Sequence, residues 1–299
     1  MSTLLLVAYL ARAGVGSRRR CDEMVRDGHV AVNGEPVTFP RQPVNDGDVV
    51  TVDGEEVLLR PLRYVLVNKP RGVASTRRDP HAERVLVDLV PDGRVLFPVG
   101  RLDVETTGLI ILTNDGQLAN HLMHPRYGVP KTYMARVRGK VQRRALEEFR
   151  TGIELEDGLT APAEARLIKQ SAKTALVEVV LHEGRKRQLR RMFAALGLPA
   201  EELHRRRYGP LTDKNLKLGE FRELGEEEVD ALRRAAERVG DSVMSEPTEH
   251  SLSLSAGEEF GLPEAGPANG AQDADETESA ADEAEPVDDE AADEAPREL

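Results

Sequence analysis

An α+β chain in three parts is predicted from three features of its 299 residues. Short β-like apolar runs alternate with amphipathic helical periods from Tyr64 to about Leu232. A smaller, helix-rich stretch with its own turn signals precedes them. An acidic tail poor in apolar side chains follows. The boundaries read as a small module at 1–58, a linker at 59–63, a larger domain at 64–240 with a mixed, largely antiparallel sheet, and a disordered tail at 241–299.

In the small module, Leu4, Leu5, Leu6, Tyr9 and Leu10 suit the apolar face of a first helix ending near Gly14. Ser17 is placed to cap a second helix through Arg26, with Met24 and Val25 inward and Arg18, Arg19, Arg20 and Arg26 in water. Gly28 to Val37 reads as a hairpin turning at Asn33-Gly34. A short strand at Asp48–Val52 closes the unit. Two arginine-bearing helices beside a small sheet make a compact surface for a nucleic-acid backbone.

Beyond the linker, Tyr64 to Gly72 is a strand followed by a turn. Further strands are predicted at Val95–Val99, Leu109–Thr113, Thr132–Val137, Ala165–Gln170 and Thr174–Leu181. Helices are predicted at Gln117–Met123, Arg143–Thr151, Lys186–Leu196 and Glu226–Arg238. The glycines show neither Walker nor dinucleotide spacing, so no nucleotide cofactor is indicated.

The formal net charge of -12 argues against nucleic acid until its distribution is read. Residues 241–299 hold 19 acidic residues and one basic residue, leaving 40 basic and 34 acidic residues in 1–240, a net of +6. The tail reads as a solubiliser, or as a polyanion that competes with RNA for the basic face. Cys21 is the only cysteine, which excludes an internal disulfide and a thiolate-rich zinc site. The apolar opening lacks a preceding basic region and no run approaches membrane-spanning length, so a cytoplasmic protein, monomeric by default, is expected.

Three constellations carry chemistry. Asp103 lies between Gly100-Arg101-Leu102 and a Thr106-Thr107-Gly108 turn, before the apolar run Leu109–Leu112. An aspartate there is ordinarily a turn former. Here Arg101 and the glycines flank it, the two threonine hydroxyls are available to the same turn, and the following strand supplies a rigid base. The second is His182 to Phe193, where Lys186 and Arg190 share one helix face and Arg187 and Arg191 another, above an inward stripe of Leu189, Met192, Phe193 and Leu196. That density of guanidinium groups, extended by Arg205-Arg206-Arg207, suits phosphates better than solubility alone. The third is Lys131-Thr132-Tyr133, whose ring is a rim residue or a platform for an extruded nucleobase.

A carboxylate, a stacking ring and an arginine suit a reaction at a glycosidic carbon. Hydrolytic glycosidases commonly use two carboxylates. One aspartate stands out here, with Glu105 and Asp115 as weaker partners. A uracil delocalises the charge it leaves with, and if it stays pinned it can turn and reattach through carbon 5, with no cofactor and no metal.

The sequence resembles known families in two places. Ala11-Arg12-Ala13-Gly14-Val15-Gly16-Ser17-Arg18-Arg19, Val32-Asn33-Gly34 and Asp46-Gly47-Asp48 resemble the small RNA-binding module first known from a ribosomal protein. Residues 64–222 resemble the catalytic domain of ribosomal RNA pseudouridine synthases, in the branch that carries that module. The likeness rests on Gly100-Arg101-Leu102-Asp103, Thr107-Gly108-Leu109, Leu112-Thr113-Asn114-Asp115-Gly116, Lys131-Thr132-Tyr133 and Glu183 to Met192. It implies that Asp103 attacks the anomeric carbon or takes a neighbouring ribose proton, and that Tyr133 stacks on the flipped uracil. Arg190 would pair with the carboxylate and Leu189 would pack near the base. Arg185 and Arg187 would make phosphate or framework contacts. Lys186 would face the RNA, and Arg101, Arg18 and Arg19 would contribute further RNA contacts. The Gln188-Leu189-Arg190-Arg191-Met192-Phe193 run with Tyr208-Gly209-Pro210 is more similar to the large-subunit enzymes. Ribosomal RNA, free or in an assembling subunit, is the implied partner. A non-catalytic assembly factor and an N-glycosidase are the competing readings; a metallo-nuclease lacks compact ligand spacing.

Overall fold

The computed structural model describes residues 3–77 and 79–242; from residue 243 onward the predicted tail lies outside them. The small module comprises β1 (Leu4–Leu5), α1 (Leu6–Ala13), α2 (Arg18–Arg26), β2 (Val30–Val32), β3 (Glu35–Pro36), β4 (Pro43–Val44), β5 (Val50–Val52) and β6 (Glu55–Glu56). Gly14 ends α1 at φ +92°, and the Ser17 hydroxyl accepts the Arg20 N–H at the start of α2. The expected hairpin forms, with both Asn33 and Gly34 at positive φ as a tight β2–β3 turn requires. One expectation fails. Leu4 and Leu5 precede the first helix and pair with Val44 and Pro43, so the apolar opening is shared between a strand and a helix.

The larger domain contains β7 (Tyr64–Lys69), β8 (Phe97–Pro98), β9 (Thr107–Thr113), α3 (Gly116–Met123), β10 (Lys131–Arg138) and α4 (Arg143–Thr151). It continues with β11 (Glu164–Gln170), β12 (Thr174–Leu181), α5 (Gln188–Ala195), β13 (Ala200–Tyr208), β14 (Leu211–Thr212), β15 (Phe221–Glu223) and α6 (Glu226–Ser242). Among the described residues these strands make one nine-stranded sheet in the order β11-β12-β10-β13-β9-β7-β15, with β14 on β13 and β8 on β9. Every pairing is antiparallel except β9 with β13, which run parallel through His204↔Thr107 and Arg205↔Gly108.

That parallel seam divides the core. On one side α4 and α5 place Phe149, Met192 and Phe193 on Ala135, Val137, Val177 and Val179. On the other, alternation along β7 and β9 feeds two layers. Leu66, Leu109 and Ile111 meet α3 and α6, whereas Val65, Val67, Ile110 and Leu112 meet the segment carrying Leu86, Leu96 and Leu102. Each fully buried aliphatic side chain contributes roughly 1.5–3 kcal/mol.

Two further expectations need correction, and one strand was not expected. Most of Val95–Val99 is not strand; a 3-10 turn at Gly93–Val95 leaves only Phe97–Pro98 paired as strand. The basic helix begins at Gln188, so Lys186 and Arg187 lie in the turn before it and the predicted pairing of helix faces does not arise. Strand β13 was hidden, because Arg205-Arg206-Arg207 breaks the alternation by which a strand is recognised.

Candidate active site

A cavity of about 840 Å³ opens where the two halves of the sheet meet. Its lining includes Asp103 and Arg101 from the turn before β9, Tyr133 and Lys131 from β10, Arg205 and Tyr208 from β13, and Lys186, Arg187, Leu189 and Arg190 from the start of α5. Four sequence-distant segments thus converge on the carboxylate singled out above.

The Asp103 turn is held from both sides. Ser75 Oγ donates to Leu102 O (2.8 Å) and accepts from Leu102 N (3.1 Å). Thr106 N donates to Asp103 O (3.0 Å), closing the turn, and Gly72 N donates to Val104 O (3.0 Å). Lys69, fully buried, donates from Nζ to Val73 O (2.8 Å), Pro70 O (3.0 Å) and Val104 O (3.2 Å). The threonine hydroxyls do not serve the turn as expected. Thr107 Oγ1 instead meets His204 Nδ1 at 2.8 Å, and His204 Nε2 meets Asp213 at 2.9 Å, which ties the start of β9 to β13.

Asp103 faces two guanidinium groups. Arg190 Nε lies 3.8 Å and Arg187 Nη1 3.7 Å from Oδ2, beyond hydrogen-bond length, so the attraction is charge on charge. They differ in freedom. Arg190 is 15 % exposed and anchored by Nη1 on Ala200 O (3.0 Å); Arg187 is 51 % exposed. Burial, together with the Arg187 charge, lowers the Arg190 pKa, and Asp103 opposes that shift. Leu189 is buried at the cavity wall.

Arg187 adopts φ +49°, a conformation strained for a side chain of its size, at the N-cap of α5. Arg187→Gly is therefore expected to leave stability unchanged or raise it by about 0.5–1 kcal/mol. Over a salt series, the slope of log affinity for RNA against log salt should become shallower by about 0.7–0.9. An unchanged slope would show that Arg187 touches no phosphate.

The remaining sequence candidates separate. Arg101 and Lys186 are exposed at the cavity mouth. Arg185 is bound into the framework: it donates to Leu159 O (2.6 Å), Gly158 O (2.9 Å) and Asp157 O (3.2 Å). Arg191 is occupied by Asp157 through two bonds of 2.8 and 2.9 Å. Arg18 and Arg19, exposed on α2, are not among the lining residues, and the Arg18 guanidinium rests against Gly116 at the start of α3. Of the weaker carboxylates, Glu105 pairs with Arg71, and Asp115 caps α3. Glu183 does line the cavity, but its Oε1 takes the Gln188 amide (2.7 Å) and Ala161 N–H (3.0 Å).

Two cations that the sequence reading named only within longer motifs prove to line the cavity. Arg205 is 2 % exposed, donating Nε to Leu109 O (2.6 Å) and Nη1 to the Tyr133 hydroxyl (3.2 Å). Lys131 is 8 % exposed, donating to Val129 O (3.0 Å). The available signal was period two, which puts Lys131 and Tyr133 on one face of β10. Burial pulls both Lys69 and Lys131 down to about 8. Unfolded lysines keep their protons up to about 10.4, so the unfolded chain binds more protons above pH 8. Stability should accordingly rise between pH 8 and 9.5, by about 1–3 kcal/mol for the two residues together. Above pH 10 the phenols of half-buried Tyr64 and buried Tyr208, raised by burial, reverse the slope. Urea midpoints across that range test this, and Lys69→Met with Lys131→Met should remove the rise.

Among the described residues no cluster of three or more His, Cys, Asp or Glu side chains is placed to hold a metal, and no helix is long and apolar enough to cross a membrane. A family model described as RNA pseudouridylate synthase matches residues 63–195, and one for the S4 domain matches residues 5–50. Ribosomal large subunit pseudouridine synthase B of Bacillus subtilis is 42% identical over 235 residues, covering 78% of this chain and 96% of that protein. The protein of the same name from Vibrio cholerae is 38% identical over 243 residues, covering 78% of this chain and 75% of its own length. A solved crystal structure of a pseudouridylate synthase is 30% identical and covers 76% of this chain and 98% of that one, with a TM-score of 0.55.

Proposed function

The chain belongs to the RNA pseudouridine synthase family, with an S4 domain at its N-terminal end, and on that basis we propose that it isomerises one uridine of large-subunit ribosomal RNA with Asp103 as nucleophile. The observation that carries the proposal for the site is the convergence of Asp103, Tyr133 and Arg190 on one cavity. An Asp103 oxygen attacks C1′, the C1′–N1 bond breaks, and its electron pair leaves with the uracil. The base turns while stacked on Tyr133, C5 bonds to C1′, and the carboxylate departs. The proton on C5 is lost and N1 gains one, so every atom of the uridine is retained and no redox partner is consumed. Arg190 keeps the carboxylate oriented, and Leu189 packs beside the base.

Among the described residues the one other carboxylate in the cavity lining, Glu183, is engaged through Oε1 by Gln188 and Ala161, which fits a leaving group that carries its own charge. Extruding a paired base costs a few kcal/mol, which favours a loop uridine. Phosphate contacts from Arg101, Lys186 and Arg187 supply affinity, while the S4 domain, with Arg18 and Arg19, reads RNA shape at a distance from the cavity. A monomer working in the cytoplasm, on free RNA or an assembling subunit, suits such a substrate. Ribosomal RNA from cells with and without the gene should differ by a pseudouridine in the large-subunit RNA, restored by the wild-type protein and not by Asp103→Ala. Purified protein that binds that RNA yet makes no pseudouridine in a single turnover would favour an assembly factor. Free uracil with abasic RNA would favour an N-glycosidase.

A further inference from the structure

Beneath Tyr133 the cavity floor holds two cations that the steps above leave unused. Lys131 and Arg205 both line the cavity, and both lie over the ring of buried Tyr208, at 5.5 Å and 4.9 Å from its centroid. Among the described residues neither forms an ion pair with a carboxylate; their partners are the carbonyls of Val129 and Leu109 and the Tyr133 hydroxyl. Arg205 Nη2 is buried without any partner. Positive charge held in a protein interior without a counter-charge is costly, and a site that holds two such cations is suited to an arriving anion.

The backbone is shaped to bring them together. Thr132 pairs with Arg207, and unbroken antiparallel pairing would put Tyr133 opposite Arg206. A bulge between Thr132 and Tyr133 puts Arg205 there instead. Arg205 and Tyr208, three apart on β13, thus both reach the cavity, and Lys131 lies directly opposite Tyr208.

Resting on the function proposed above, we infer that Lys131 and Arg205 form an electrostatic cradle for the uracil anion released when the C1′–N1 bond breaks. The electron pair of that bond spreads over N1, O2 and O4, and the carboxylate other than Asp103 that lines the cavity among the described residues, Glu183, is engaged through Oε1 by Gln188 and Ala161. A fixed positive floor lowers the barrier to departure and keeps the detached base from escaping while it exchanges N1 for C5. Its charge is quenched when C5 bonds to C1′ and the displaced C5 proton is replaced by one on N1. The cradle acts on the leaving group, whereas Arg187 and Arg190 act on Asp103.

The test varies the leaving group. A short RNA spanning the modified site carries uridine or 5-fluorouridine at the target, and single-turnover loss of that nucleoside is followed with the full-length protein. Fluorine stabilises the departing anion by itself, so it should mask loss of the cradle. Arg205→Met is expected to slow reaction at uridine by about 100-fold and at 5-fluorouridine by about tenfold or less, with RNA affinity within about threefold and Arg205→Lys recovering most of the rate. Lys131→Met, a milder change, should slow uridine about tenfold with the same dependence on fluorine, and it decides the matter should Arg205→Met fail to fold. Equal slowing of both substrates, or a loss confined to RNA affinity, would overturn the cradle while leaving the function intact. Wild-type protein inactive on uridine would overturn both.

Discussion

Asp103→Asn is expected to lower the rate of pseudouridine formation by at least ~10⁴-fold while RNA affinity stays within about threefold. The substitution keeps the volume of the side chain and leaves the turn's supports in place, since Ser75, Gly72 and Lys69 bind backbone atoms rather than the carboxylate. What it removes is the negative charge and one of the two oxygens from which the proposed attack on C1′ would come. Arg190 and Arg187 sit at 3.8 and 3.7 Å, too far for hydrogen bonds that an amide would need to replace. Affinity should, if anything, increase slightly as those guanidinium groups lose their internal counter-charge and face phosphate alone. Single-turnover conversion of a target RNA gives the rate, and salt-controlled titration gives the affinity. Asparagine can deamidate back to aspartate, so Asp103→Ala serves as the control. Wild-type rates in both variants would remove Asp103 from the chemistry.

The contrast with Arg187 and Arg205 explains which parts of this molecule were legible in its sequence. Local rules placed α2 with its Ser17 cap, the Asn33-Gly34 turn and strand β12, because each depends on neighbours along the chain. The Gly100–Asp103 run stood out as a candidate site because its turn residues and following apolar strand are contiguous. Local rules failed where tertiary partners decide. Arg185, Arg187, Arg190 and Arg191 look alike in sequence, yet two are taken by Asp157 or its neighbouring carbonyls and two face Asp103. Nothing in the run itself signals Asp157, which lies 28 residues before Arg185. Arg205 was read only as part of a phosphate-suited basic run for the same reason. A bulge, visible only once β10 and β13 are paired, turns it inward.

Gly108→Ala carries the largest expected structural effect, because Gly108 sits at the seam on which both halves of the site depend. Its φ is +112°, and a Cβ built there would lie 2.4 Å from both the N and O of Arg205. Those are backbone atoms, so no rotamer change relieves the clash; β9 and β13 must move apart. The seam consists of only two residue pairs, His204↔Thr107 and Arg205↔Gly108, and gives little tolerance. Overpacking together with backbone strain should cost about 3 kcal/mol or more, roughly 6–12 °C in Tm for a domain of this size. Gly158→Ala is the matched control, since Gly158 has φ +92° with nothing within 4 Å of a built Cβ and so reports conformational strain alone, about 1 kcal/mol. Activity should separate the two variants further. Moving β13 displaces Arg205 from the Tyr133 hydroxyl, so Gly108→Ala should lose at least about tenfold in single-turnover rate at temperatures where it remains folded, whereas Gly158→Ala should not. Equal melting temperatures for the two variants would mean that the strands can separate freely at Gly108, and the close backbone approach would then not be what fixes Asp103 and Tyr133 relative to each other.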